Sequence, residues 1–204
     1  VPVGWDIPTP GSISSITYAR TRTATVTAPR ILACTPGCSF TPATRRIGED
    51  VQIEVEAYLE SAPPSAVDIT ATIASGASAG VSSVETMPGS DSATVTGVTA
   101  GGSGNRVSFW LSGITQGTGT TLTFSAPGYQ SVTVPVEVDP SGFVQTQANV
   151  STNTLSSNST LTVYAARLAR TTNAVSELQE PRAGVVATVP VTSSDTSVGT
   201  ITSS

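Results

Sequence analysis

From Val51 to Leu59 apolar and polar residues alternate without a break. Val51, Ile53, Val55, Ala57 and Leu59 fall on one side, and Gln52, Glu54, Glu56 and Tyr58 on the other. A period of two marks a strand with one buried face. The same pattern returns at Val67–Ala74, with Val67, Ile69, Ala71 and Ile73 inward. Shorter versions occur at Val81–Thr86, Ala93–Val98, Val107–Leu111, Thr120–Phe124 and Val132–Val138. The breaks carry turn residues: Ala62-Pro-Pro-Ser-Ala, the Gly-rich stretch Thr99–Asn105, and Ala126-Pro-Gly-Tyr-Gln. Seven or so strands at this spacing predict a two-sheet sandwich. Tyr129, just after the Pro127-Gly128 pair, reads as core or corner packing. No stretch has a helical period; the best candidate, Arg167–Pro181, reads as a loop.

The first thirty residues are different. Val1–Gly11 is interrupted by Pro2, Pro8 and Pro10, with Trp5 as an apolar anchor. Ile13–Ala28 alternates over a long stretch: Ile16, Tyr18, Arg20, Arg22 and Ala24 on one face, mostly Thr on the other. Its apolar register shifts near Ala24–Val26, which predicts a bulge or a change of pairing partner. Residues Ile31–Thr44 read as a linker or as the first strand of the next domain.

Thr41–Leu59 runs from a polar turn into a strand, and Ser151–Leu168 does the same. The first copy continues to a finished sandwich near Asp139. After the second, only Ala169–Ser204 remains. The pattern predicts three parts: an extended donor segment over residues 1–30, a complete sandwich over 31–139 and a partial sandwich over 140–204. A half-sandwich leaves an open core face and an unpaired edge. The expectation is that a strand-like segment of another copy covers them, with Trp5, Ile16, Tyr18 and Val26 as donor residues and the stretch Val144–Ile201 as acceptor.

Composition narrows the chemistry. Charged residues are 11% of the chain, against about 25% in typical domains. Ser and Thr take their place and, with many β-branched residues, favour strands. There is no His, and all nine cations are Arg. The commonest general base and metal ligand is therefore missing, as is the amine for Schiff-base chemistry. No residue stands out to activate any of the many serines, so no catalytic group is assigned and the chain reads as a non-enzyme without cofactor or metal. A net charge of −5 with scattered Arg argues against nucleic acid. No run of 18 apolar residues exists, so no membrane-spanning helix is expected. The chain starts at Val1 rather than Met, which reads as prior processing. Glu49, Asp50, Glu54, Glu56 and Glu60 form the densest acidic group. A Ca²⁺ site is the sharper reading, and the solvated face of one strand is the plainer one adopted.

Cys34 and Cys38 flank Thr-Pro-Gly. Pro-Gly suits the centre of a type II turn and brings the ends within disulfide reach. A metal site would need more ligands, and a redox motif a different spacing. The reading is a disulfide that clips a turn, hence a secreted or cell-surface protein. Asn149-Val-Ser and Asn158-Ser-Thr match the N-glycosylation pattern, which adds glycans as a possible modification or partner.

Val189-Pro-Val-Thr-Ser-Ser-Asp-Thr-Ser-Val-Gly-Thr-Ile resembles the bacterial immunoglobulin-like domains of secreted surface proteins, in which such a turn precedes a strand. Gly128-Tyr-Gln-Ser-Val-Thr-Val-Pro-Val looks like the closing strand of such a module. The resemblance implies an all-β chain of tandem immunoglobulin-like β-sandwiches, the second incomplete and completed in trans by the N-terminal segment. It implies a structural or adhesive role and brings no catalytic residues. The functional expectation is a subunit or repeat period of an extracellular filament, its partners copies of itself. The alternative is an adhesive or carbohydrate-binding stalk segment, whose mark would be an exposed aromatic platform.

Overall fold

The computed structural model describes residues 28–34, 43–99, 105–145, 153 and 156–201. Its elements are all strands: β1 (Ile31–Cys34), β2 (Arg45–Gly48), β3 (Val51–Leu59), β4 (Val67–Ile73), β5 (Ala79–Ser82), β6 (Ser92–Val98), β7 (Arg106–Gly113), β8 (Gly117–Ser125), β9 (Val132–Asp139), β10 (Ser141–Gln145), β11 (Val163–Leu168), β12 (Val175–Leu178) and β13 (Glu180–Pro181). The donor residues Trp5, Ile16, Tyr18 and Val26, as well as Cys38 and Asn149, lie outside the described residues.

Two sheets make the main body. One has the order β1-β3-β7-β5, with β13 added beside β3; the other is β2-β9-β8-β4-β6. Their inner faces meet in one core. Val55, Ala57, Leu59, Phe109 and Leu111 of the first sheet pack on Ile69, Leu122, Phe124, Val134 and Val136 of the second, all essentially inaccessible. The rings of Phe109 and Phe124 meet across the sheets at 5.5 Å with a 47° tilt. The alternation along β3 thus does what its period requires: every second side chain enters the core.

The opening strand is divided between the sheets. β1 pairs antiparallel with the end of β3, whereas β2 pairs parallel with β9. Of the stretch Ile31–Thr44, expected as a linker or a first strand, the described start is a strand, β1, and β2 begins just after its end at Arg45. On the far side, β5 belongs to the first sheet and β6 to the second. Val81 and Ser90 exchange backbone hydrogen bonds of 2.8 and 2.9 Å and tie the two together. Gly80 and Gly89 allow this approach, since a Cβ on either would meet the other's backbone at about 2.9 Å.

The expected strand at Val81–Thr86 is displaced to Ala79–Ser82. Ser82 ends it by folding its hydroxyl onto its own chain: it donates to the Val84 carbonyl at 2.8 Å and accepts from the Val84 N–H at 3.0 Å. Tyr129 is corner packing, its ring against the core and its hydroxyl donating to the Ser61 carbonyl at 2.8 Å.

A third sheet, β10-β11-β12, continues directly from β9 through Pro140. The segment Arg167–Pro181, expected as a loop, holds the end of β11, all of β12 and β13. Its sequence is polar and its strands are short. The backbone pairing to β11 and β3 fixes it rather than any local pattern.

Candidate functional site: a charged joint and an open sheet

The two parts meet at one pole of the sandwich. The turn between β2 and β3 lies there: the Glu49 N–H donates to the Asp139 carbonyl at 2.9 Å, and the Asp50 N–H to the Gly113 carbonyl at 3.0 Å. Asp50 has φ 58°, the left-handed conformation that tight turns demand and that Asp tolerates. The strands come too close for side chains. A Cβ on Gly113 would sit 2.1 Å from the Gly48 carbonyl oxygen.

At the end of β9 the Asp139 side chain is wholly inaccessible. Three guanidinium groups surround it. Arg46, from β2, donates through Nε to Oδ2 at 2.9 Å and through Nη2 to Oδ1 at 3.1 Å. Arg167, from β11, donates to Oδ2 at 3.1 Å, and Arg170 lies 3.0 Å from Oδ1. Arg170 also donates to the Val138 carbonyl at 2.9 Å. The parallel register of β2 and β9 sets Arg46 opposite Glu137, with which it also pairs at 3.2 Å. Burial alone would raise the Asp139 carboxyl, but the hydrogen bonds from Arg46 and Arg167 and the nearby charges outweigh it and hold the group below its ordinary range. Arg46 is raised in turn, chiefly by its hydrogen bond to Asp139.

Gln179 bolts the joint from the other side. Its Oε1 accepts from the Gly48 N–H at 2.8 Å and its Nε2 donates to the Arg46 carbonyl at 3.2 Å. The Ser141 hydroxyl donates to the Glu49 carbonyl. Arg182 closes the set through Nη2 to Asp50 at 2.8 Å. Apart from Arg46, every side-chain donor here comes from residues beyond Asp139, so the third sheet is held as a fixed extension of the sandwich.

The acidic group expected on β3 is dispersed. Glu49 accepts from Gln116, Asp50 pairs with Arg182, Glu56 with Arg106 and Glu60 with Arg30. Among the described residues no three acidic or sulfur side chains converge as metal ligands. The reading of a solvated strand face needs correction as well: Glu56 and Gln52 are buried, at 7% and 6% exposure. Gln52 is covered because Ala183 donates to its side chain.

The third sheet is open on both faces. β10 lies on one side of β11, as β1 does on β3. On the other side, β7 flanks β3 from Gln52 to Tyr58, but β12 flanks β11 only at Ala166, Arg167 and Leu168. Cross-strand pairing puts Phe143 beside Ala165 and Tyr164 beside Val144, on opposite faces. Phe143 is 48% exposed, Tyr164 42% and Leu178 49%. Of its apolar strand residues Ala166 is fully buried.

Cys34 ends β1 opposite Glu56; its side chain, like its expected partner Cys38, lies outside the described residues. Asn158 is exposed on the approach to β11. The joint was not anticipated from sequence, although Arg167 and Arg170 are conspicuous cations in a chain so poor in charge.

No protein-family model matches this sequence, and no curated protein matches it.

Proposed function

We propose that this chain is a structural, non-enzymatic subunit, or one repeat period, of a secreted extracellular filament built from immunoglobulin-like domains that join head to tail by strand complementation. Two largely antiparallel sheets packed face to face over one core are the architecture of that domain type and support the family resemblance.

The observation that carries the proposal is the disposition of the two ends. The segment before Ile31 arrives at the pole of Leu59 and Gln130: Glu60 accepts from Arg30 there, and Gln130 donates to the Pro29 carbonyl at 2.8 Å. The third sheet leaves from the Asp139 pole. The nine residues of β3 separate the two by about 30 Å. A unit with an alternating, strand-like sequence at one end and an open sheet fixed rigidly at the other adds copies along an axis. Such a contact is heterologous and does not close. An added strand supplies main-chain hydrogen bonds at the free edge of the third sheet and covers Phe143 or Tyr164 and Leu178.

The test is to compare the full chain with a version lacking residues 1–27 by light scattering and negative-stain imaging. Strings from the full chain and none from the shortened one support the proposal. A full chain that stays monomeric at all concentrations overturns it.

A further inference from the structure

The outer face of the first sheet carries a groove of about 510 Å³ beside the joint. Its floor is the half-buried Trp110 of β7 with Glu54 of β3; the register sets Glu54 directly beside Trp110. One wall is the strip Glu177–Glu180 of β12 and β13, and Glu85 stands at the rim. Trp110 belongs to the strand whose Phe109 and Leu111 fill the core, so its indole points the other way.

The charge balance of the chain says what fits there. Of nine arginines, Arg30, Arg46, Arg106, Arg167, Arg170 and Arg182 are ion-paired. Arg45 donates to the Ala33 carbonyl. The remaining two, Arg20 and Arg22, fall outside the described residues and stand two apart in the alternating N-terminal sequence. In the groove, Glu54, Glu85 and Glu180 have no cationic partner among the described residues, while Glu177 shares Arg167 at 3.6 Å. A guanidinium stacks on an indole face and pairs bidentately with carboxylates, and a site walled by both is shaped for it.

We propose that this groove docks residues 13–27 of a second copy, with Arg20 and Arg22 seated over Trp110 and among Glu54, Glu85 and Glu180. The assignment rests on the head-to-tail reading and deepens it. The open third sheet takes the strand, and the groove beside it sets which segment is accepted and in what register. Two positive charges two residues apart meet carboxylates only when the strand is correctly aligned.

The experiment uses the full chain with Trp5→Phe, which leaves Trp110 as the sole indole, and measures the light-scattering mass of the unaltered chain in parallel, so that any loss of assembly due to Trp5 itself is seen. Trp110 emission and light-scattering mass are followed together across concentration, in low and high salt. The expected result is an emission change that tracks assembly. R20Q/R22Q should abolish the emission change and weaken association about tenfold at low salt. E54Q/E85Q/E180Q should match it, and R20E/R22E should regain association against E54R/E85R/E180R. Assembly that persists in R20Q/R22Q with the same Trp110 response overturns the groove assignment and leaves the head-to-tail reading standing. A concentration-independent Trp110 response lost in R20Q/R22Q places the segment on its own chain and overturns docking in trans. A monomer whose Trp110 is indifferent to R20Q/R22Q overturns both.

Discussion

Arg167 donates to Asp139 across 3.1 Å, and this contact links the middle strand of the small sheet to the last strand of the sandwich. The carboxylate is fully buried, and among the described residues three guanidinium partners stand in for water. Removing one partner of a buried charge set is costly because the others are left uncompensated. Asp139→Asn should destabilise the chain by about 3 kcal/mol. It should also make residues 140–201 a target of limited proteolysis before the sandwich unfolds. A urea midpoint unchanged from the parent would remove the joint's assigned role.

The same group sets the acid limit. The folded Asp139 carboxyl titrates below its ordinary range, whereas in the unfolded chain it titrates near 3.9. Its stabilisation is therefore complete above the unfolded value and is lost as pH falls through the folded one. The thermal midpoint of the parent should drop steeply below about pH 4, and that of Asp139→Asn should drop less. Parallel curves for the two proteins would assign the acid sensitivity elsewhere.

Gly113 tests the close approach at the pole. A methyl group there collides with the Gly48 carbonyl, which is backbone and cannot swing aside. Gly113→Ala should cost at least ~2 kcal/mol, as overpacking does, by denaturant titration. Gly199→Ala, where the space is open, is the control and should be near neutral.

In the core, Phe109→Ala should cost about 3–5 kcal/mol, because a wholly buried ring leaves a cavity against Phe124. Tyr129→Phe keeps the packing and removes only the hydrogen bond to Ser61, so about 1 kcal/mol is expected. Equilibrium unfolding of the two variants separates core from corner.

What could be read from sequence was the part with a local cause. β3, β4 and β9 declare themselves because each buries one face, and their period survives in the residues alone. β1 and β2 are four residues each, too short for a period, and their pairing with β3 and β9 depends on contacts distant in sequence. β12 and β13 are short and exposed; they are strands because β11 and β3 offer them an edge. The joint was hidden for the same reason, since Arg46, Asp139, Arg167 and Gln179 mean nothing until the fold brings them together. Of the repeated motif at Ser151–Leu168, the apolar end is the strand β11.

The parallel pairing of β2 with β9 has a mechanical consequence. Tension applied along the chain pulls the start of β2 toward one pole and the end of β9 toward the other. Two parallel strands drawn apart in this way slide past one another, so all their cross-links resist together rather than parting one at a time. The buried carboxylate sits at the point where that load passes from β9 into the next sheet. The unit is thus arranged to yield last at its ends, and a single molecule stretched end to end should give way abruptly, in one high-force step, when this pair shears.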